Sequence, residues 1–136
     1  MLTKTSLFCW IIILCSCSNP RNLIEDQTAE RIYFGNFGGF TNASIDYVLI
    51  SNSAVFKIEK NNPVYVKRLA REQSSHISDL IQKAGIEESD LNEPGNMTYY
   101  IKLVRPGFEK EVKWSDQTES TDIKELYKSL MSIIKQ

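Results

Sequence analysis

Cysteine is confined to the first seventeen residues of this 136-residue chain, at Cys9, Cys15 and Cys17. No pair remains beyond Cys17 to close a disulfide, which excludes a stapled fold for the body of the chain. Histidine occurs once, as His76, so a zinc site would have to be completed by carboxylates alone. A Ser75-His76-Asp79 triad fails on a helix, because adjacent helical residues do not face each other. The longest apolar run, Leu7 to about Cys15, is far shorter than the roughly 20 residues that span a bilayer. Charge of one sign is also missing: 16 Lys and Arg stand against 17 Asp and Glu. Without a basic patch there is no electrostatic footprint for nucleic acid. Neither internal repeats nor low-complexity tracts occur.

What is present reads as one domain. Arg31 to Phe34 is a short β-prone run halted by Gly35. Ser44 to Ile50 alternates at strand period and, after the turn chemistry of Ser51-Asn52-Ser53, Val55 to Ile58 resumes it as a hairpin. Asn61-Asn62-Pro63 breaks the chain before another β-rich run, Val64 to Leu69. From about Arg71, Ile77, Leu80, Ile81 and Ala84 form one helical stripe, with Gly85 as its stop. An acidic loop, 86–95, leads to Met97–Val104, the strongest strand, whose bulk on both faces suits a central position. Pro106-Gly107 turns it into Phe108–Trp114. The last helix runs from about Thr121 to Lys135, capped by Ser120 or Thr121. This order predicts an α+β fold: an antiparallel sheet of about five or six strands with two amphipathic helices packed on one face.

Few residues carry chemistry. The acidic group Glu87, Glu88, Asp90 and Glu93 lacks the spacing of an EF-hand and reads as a solvated loop. Gly35 to Gly39 is not a nucleotide fingerprint, since a strand rather than a helix follows it. Asn42-Ala43-Ser44 and Asn96-Met97-Thr98 match a glycosylation pattern without a context that uses it. Two constellations remain. One is Gly38-Gly39-Phe40-Thr41, an aromatic beside two glycines. The other is Pro94-Gly95-Asn96 leading to Tyr99 and Tyr100, with Trp114 on the next strand. Both can be structural, with glycines for a tight turn and aromatics for a core. Alternatively, loops at one end of the sheet present Phe40 and Asn96 to a protein partner.

The first eighteen residues, MLTKTSLFCWIIILCSCS, combine one basic residue, Lys4, with a short apolar run and a closing Leu14-Cys15-Ser16-Cys17. This resembles the cleavage and lipidation box of bacterial lipoproteins. The resemblance implies that residues 1–16 are a removed signal peptide and that Cys17 carries acyl chains. It implies residues 17–30 as lipidated cysteine and flexible tether, and 31–136 as a single domain. Two or three acyl chains anchor a protein firmly where one does not. Ser18 is not the aspartate that commonly retains lipoproteins in an inner membrane, which implies the cell envelope at an outer membrane.

Beyond the anchor, the chain resembles a family of small bacterial lipoproteins. The match rests on Phe34-Gly-Asn-Phe-Gly-Gly-Phe-Thr41, Tyr47-Val48-Leu49, Glu93-Pro94-Gly95-Asn96, Tyr100-Ile101, Trp114 and Leu126-Tyr127 with Leu130. It implies a shared fold and brings no activity. The chain is also similar to emfourin, a small inhibitor of thermolysin-like metalloproteases, through Gly38-Gly39-Phe40, Tyr99-Tyr100-Ile101 and the terminal amphipathic helix. It departs from emfourin in Thr41-Asn42 and in the Glu93–Asn96 turn. If inhibition carries over, the Gly38–Thr41 loop approaches the protease cleft. The sequence therefore suggests no enzyme, no cofactor other than covalent lipid on Cys17, and no nucleic acid. It suggests a binding module with the bilayer and a protein as partners, the protein being a protease if the emfourin resemblance carries over. Candidate contacts are Gly38, Gly39, Phe40, Thr41 and Asn96.

Overall fold

A computed structural model describes residues 20–136 apart from Asn52 and Ser120. The leading segment, including Cys17, lies outside the described residues. The fold is α+β. A short helix α1 (Pro20–Glu25) precedes β1 (Arg31–Gly38), β2 (Ala43–Ile50), β3 (Ala54–Glu59) and β4 (Asn62–Arg68). Helix α2 (Arg71–Ala84), β5 (Met97–Arg105), β6 (Phe108–Ser115) and α3 (Asp122–Lys135) complete it. The six strands form one antiparallel sheet in the order β4-β3-β2-β1-β5-β6. Strand β5 is interior, between β1 and β6, as its two bulky faces suggested. No helix among the described residues is long and apolar enough to cross a membrane.

Alternation along the strands builds two buried clusters. The larger joins Ile32, Phe34, Leu49, Ile101, Leu103, Val112 and Trp114 of the sheet to residues of both long helices. Helix α2 gives Ile77, Leu80 and Ile81, and α3 gives Ile123, Leu126, Tyr127, Leu130 and Ile133. The smaller cluster uses intervening strand positions, Val48, Ile50, Ala54 and Phe56. Ile24, Ala29, Tyr33 and Ile58 pack against it.

Helix ends follow local chemistry. Gly85 takes a left-handed φ of 58° and stops α2. Ala70 has no capping side chain, and Gln73 Oε1 accepts from Ala70 N instead, at 3.0 Å. Thr121 caps α3, its Oγ1 accepting from Lys124 N at 3.3 Å. Lys83 of α2 bridges Glu125 and Asp122 of α3 at 2.8 and 3.2 Å.

Four sequence expectations change. Gly35 does not halt β1, which runs through it to Gly38. A Cβ at Gly35 would sit 1.9 Å from the Ile45 carbonyl oxygen, so the glycine admits the neighbouring backbone rather than breaking the strand. Pro63 lies inside β4, which is tolerable because β4 is an edge strand. The turn before it uses Lys60 and Asn61, both at positive φ. Ile86, at the start of the acidic loop, is not solvated with it but buried in the larger cluster. Finally, residues 20–30 are not a free tether. They hold α1, and Ile24 and Ala29 pack against the sheet. Their apolar pair was too short to register as a period.

Candidate functional site

The antiparallel order gives the sheet two ends. Arg31, Ile50, Ala54, Arg68 and Val104 line up at one. Gly38, Ala43, Met97 and Ser115 lie at the other. The two loops singled out in the sequence, 38–42 and 93–96, meet at this second end.

Their junction is a backbone hydrogen bond: Gly39 N donates to the Asn96 carbonyl at 2.8 Å. Gly38 has φ 100° and Gly39 has φ 74°. A Cβ on Gly38 would lie 2.3 Å from the same Asn96 oxygen. Glycine is thus required at 38 both by backbone conformation and by the closeness of the second loop. Asn42, at φ 48°, donates its N–H to the Gly39 carbonyl at 3.2 Å, closing a four-residue turn. Phe40 and Thr41 are its two corner residues.

The second loop is secured from below. Thr98 is buried, and its hydroxyl accepts from Gly95 N at 3.1 Å and donates to Gly95 O at 3.0 Å. Glu93 N donates to the Lys113 carbonyl at 3.0 Å, and Lys113 N donates to Leu91 O at 3.1 Å. These bonds tie 91–93 to the edge of β6. Both loops are therefore fixed at their bases by main-chain bonds.

Phe40 itself has no packing. Its relative exposure is 109%, against 40% for Phe37 of β1 and Ile45 of β2. The structural account of the first constellation thus holds for its glycines and fails for its aromatic. The second constellation divides the other way. Tyr99, Trp114 and Tyr127 form a mutual aromatic cluster with centroids 5.3–6.1 Å apart. Tyr99 donates to Asp116 at 2.8 Å, and that bond together with burial pushes its phenol up to about 12. Tyr100 faces the other side of the sheet and donates to Asp46 at 2.7 Å. Burial, then this bond, drives its phenol far above the ordinary tyrosine value. Asn36 Nδ2 donates to the Tyr127 hydroxyl at 3.2 Å, which partly opposes the upward push of burial on that phenol. These aromatics stabilise the fold, while Asn96 is exposed and contributes its carbonyl to the loop junction.

The structure thus brings Gly38, Gly39, Phe40, Thr41 and Asn96 together; Cys17 lies outside the described residues. Sequence reading missed Thr98 and Phe37. The only trace of Thr98 was a small polar residue in an otherwise bulky strand. His76 is exposed on α2, and Glu87 and Asp90 pair with Arg105 and Lys110. Among the described residues, no group of three or more His, Cys, Asp or Glu is placed to hold a metal ion. No protein-family model matches the chain, and no curated protein matches it significantly.

Proposed function

We propose that the chain is a lipid-anchored bacterial lipoprotein of the cell envelope, on the outer membrane, whose domain binds a protein partner and performs no catalysis. Phe40 is the observation that carries this reading. An aromatic side chain with no neighbours, on a turn fixed by main-chain bonds, loses little conformational entropy on binding and can bury its whole area. Burying such a side chain contributes about 1.5–3 kcal/mol, enough to make it the main contact of a modest interface. Helices α2 and α3 both cover the face of the sheet that carries Ile32, Phe34 and Leu49, a placement supported by the cluster they share with those residues. Phe40 stays outside that packing.

The test of binding is a photo-crosslinking residue at position 40 in the native membrane. A single dominant protein adduct, absent when the crosslinker sits at exposed Glu109, is expected. Adducts identical at both positions would refute the reading. The anchor is tested separately: Cys17→Ser should abolish acyl labelling and release the protein from membranes.

A second reading is a protease inhibitor of the emfourin kind. It is favoured by the narrow projection of the Gly39–Asn42 turn, the shape that enters a cleft. Stoichiometric titration of a thermolysin-like protease by the purified protein, weakened by Phe40→Ala, is its expected result. Lack of inhibition across a panel of such proteases would sink it.

A further inference from the structure

We infer that a short leash at the opposite end of the sheet directs the Phe40 loop away from the bilayer, toward a protein in the aqueous compartment. This rests on the lipid anchor proposed above. The connection from Cys17 to Pro20 is three residues, which reaches at most about 10 Å when fully extended. From α1 onward the chain is fastened to the domain. Arg31 Nη1 donates to the Ile24 carbonyl at 2.7 Å, and Ser51 N donates to Glu30 O at 2.8 Å. The Glu30 carboxylate pairs with Arg105, and Ile24 and Ala29 sit on the smaller buried cluster. All these contacts lie at or toward the end of the sheet where β1 begins.

The loops lie at the other end. Strand β1 has eight residues, and at about 3.3 Å per residue it carries Gly38 about 25 Å from Arg31, while α1, which the leash joins, lies against β4. A dozen free residues would let the domain tumble and offer any surface to the membrane. Three do not. The end bearing the Arg105–Phe108 turn is held near the headgroups, and Phe40, Thr41 and Asn96 are carried outward. The occupant of the Phe40 loop is therefore a protein offering an apolar pocket, rather than the bilayer that holds the anchor.

The acylated full chain provides its own labelling chemistry. Its cysteines are Cys9, Cys15 and Cys17, and an added cysteine is the sole free thiol after processing. Thr41→Cys and Pro106→Cys, each labelled with a donor dye, are reconstituted in phosphatidylcholine–phosphatidylglycerol vesicles bearing an acceptor headgroup lipid. Energy transfer from position 106 should exceed that from position 41 at least twofold. Gln27→Cys supplies a second near-end site should Pro106→Cys not fold. Equal or reversed transfer in protein that floats with the vesicles would overturn the orientation. Failure to float would overturn the anchor instead. A 15-residue Gly-Ser insert after Ser18 should erase the difference; its persistence would show that the leash does not set the orientation. Vesicle binding by Cys17→Ser that is lost on adding Phe40→Ala would make the loop's occupant lipid and would also overturn the proposal.

Discussion

Gly38→Ala separates the scaffold of the candidate site from its contact surface. Gly38 sits at φ 100°, and an alanine Cβ there would meet the Asn96 carbonyl oxygen at 2.3 Å. Holding an L-residue in that backbone region costs about 1–3 kcal/mol. The obstacle is backbone, which cannot swing aside as a side chain would. The loops must therefore part, forfeiting the Gly39–Asn96 hydrogen bond, worth about 1 kcal/mol. The expected loss is about 2–4 kcal/mol from a total of about 5–15 for a domain this size. This corresponds to a fall in melting temperature of roughly 10 °C or more. Thermal and urea melts followed by circular dichroism measure it. Phe40→Ala is the companion variant. With no packing to lose, it should melt within about 0.5 kcal/mol of the parent yet lose the position-40 interaction. Gly38→Ala melting within 2 °C or so of the parent would refute the loop junction. A strongly destabilising Phe40→Ala would refute the exposure on which the binding proposal stands.

Three further outcomes are expected. Gly35→Ala should be at least as damaging as Gly38→Ala, because its Cβ would fall 1.9 Å from the Ile45 carbonyl inside the β1–β2 ladder; a well-folded variant would contradict the close approach. Tyr99 and Tyr100 hold their protons more firmly folded than unfolded, so the stability they contribute is complete below pH 10. It is lost as pH rises from there through about 12 for Tyr99, and higher still for Tyr100. Tyrosinate absorbance should show Tyr99, Tyr100 and Tyr127 resisting ionisation beyond the ordinary tyrosine range; all six tyrosines titrating near 10 would deny the Asp116 and Asp46 bonds. A double-mutant cycle between Arg105→Ala and Glu30→Gln should give a coupling of about 0.5–1 kcal/mol. Zero coupling would mean that this pair does not hold the N-terminal segment.

The long elements were legible because each satisfies its period with its own residues. Helix α2 spans Arg71–Ala84 because Ile77, Leu80 and Ile81 face the core and Gly85 can adopt a left-handed φ. The Met97–Arg105 strand pairs with β1 on one edge and β6 on the other, and its bulky residues on both faces suit that interior place. What misled were residues whose role depends on a distant neighbour. Gly35 reads as a break until β2 passes over it. Ile86 reads as loop until the core reaches it. Ile24 and Ala29 read as tether until the smaller cluster of Val48, Ile50, Ala54 and Phe56 requires a cover.

By itself the sequence determined the class of fold, the absence of disulfides after Cys17, and the two loop motifs worth attention. Each of these depends on local composition and spacing. Only the tertiary structure decided which aromatics are core and which are surface, since Phe40, the most apolar of Tyr99, Trp114 and Phe40, is the exposed one. Their fates differ because Tyr99 and Trp114 share a cluster with Tyr127, whereas the Gly39–Asn42 turn leaves Phe40 nothing to pack on. Tertiary structure also set the distance between the entry into β1 at Arg31 and the loops. That distance is the length of β1, and it has meaning only once register places the chain's entry at one end of the sheet and Phe40 at the other.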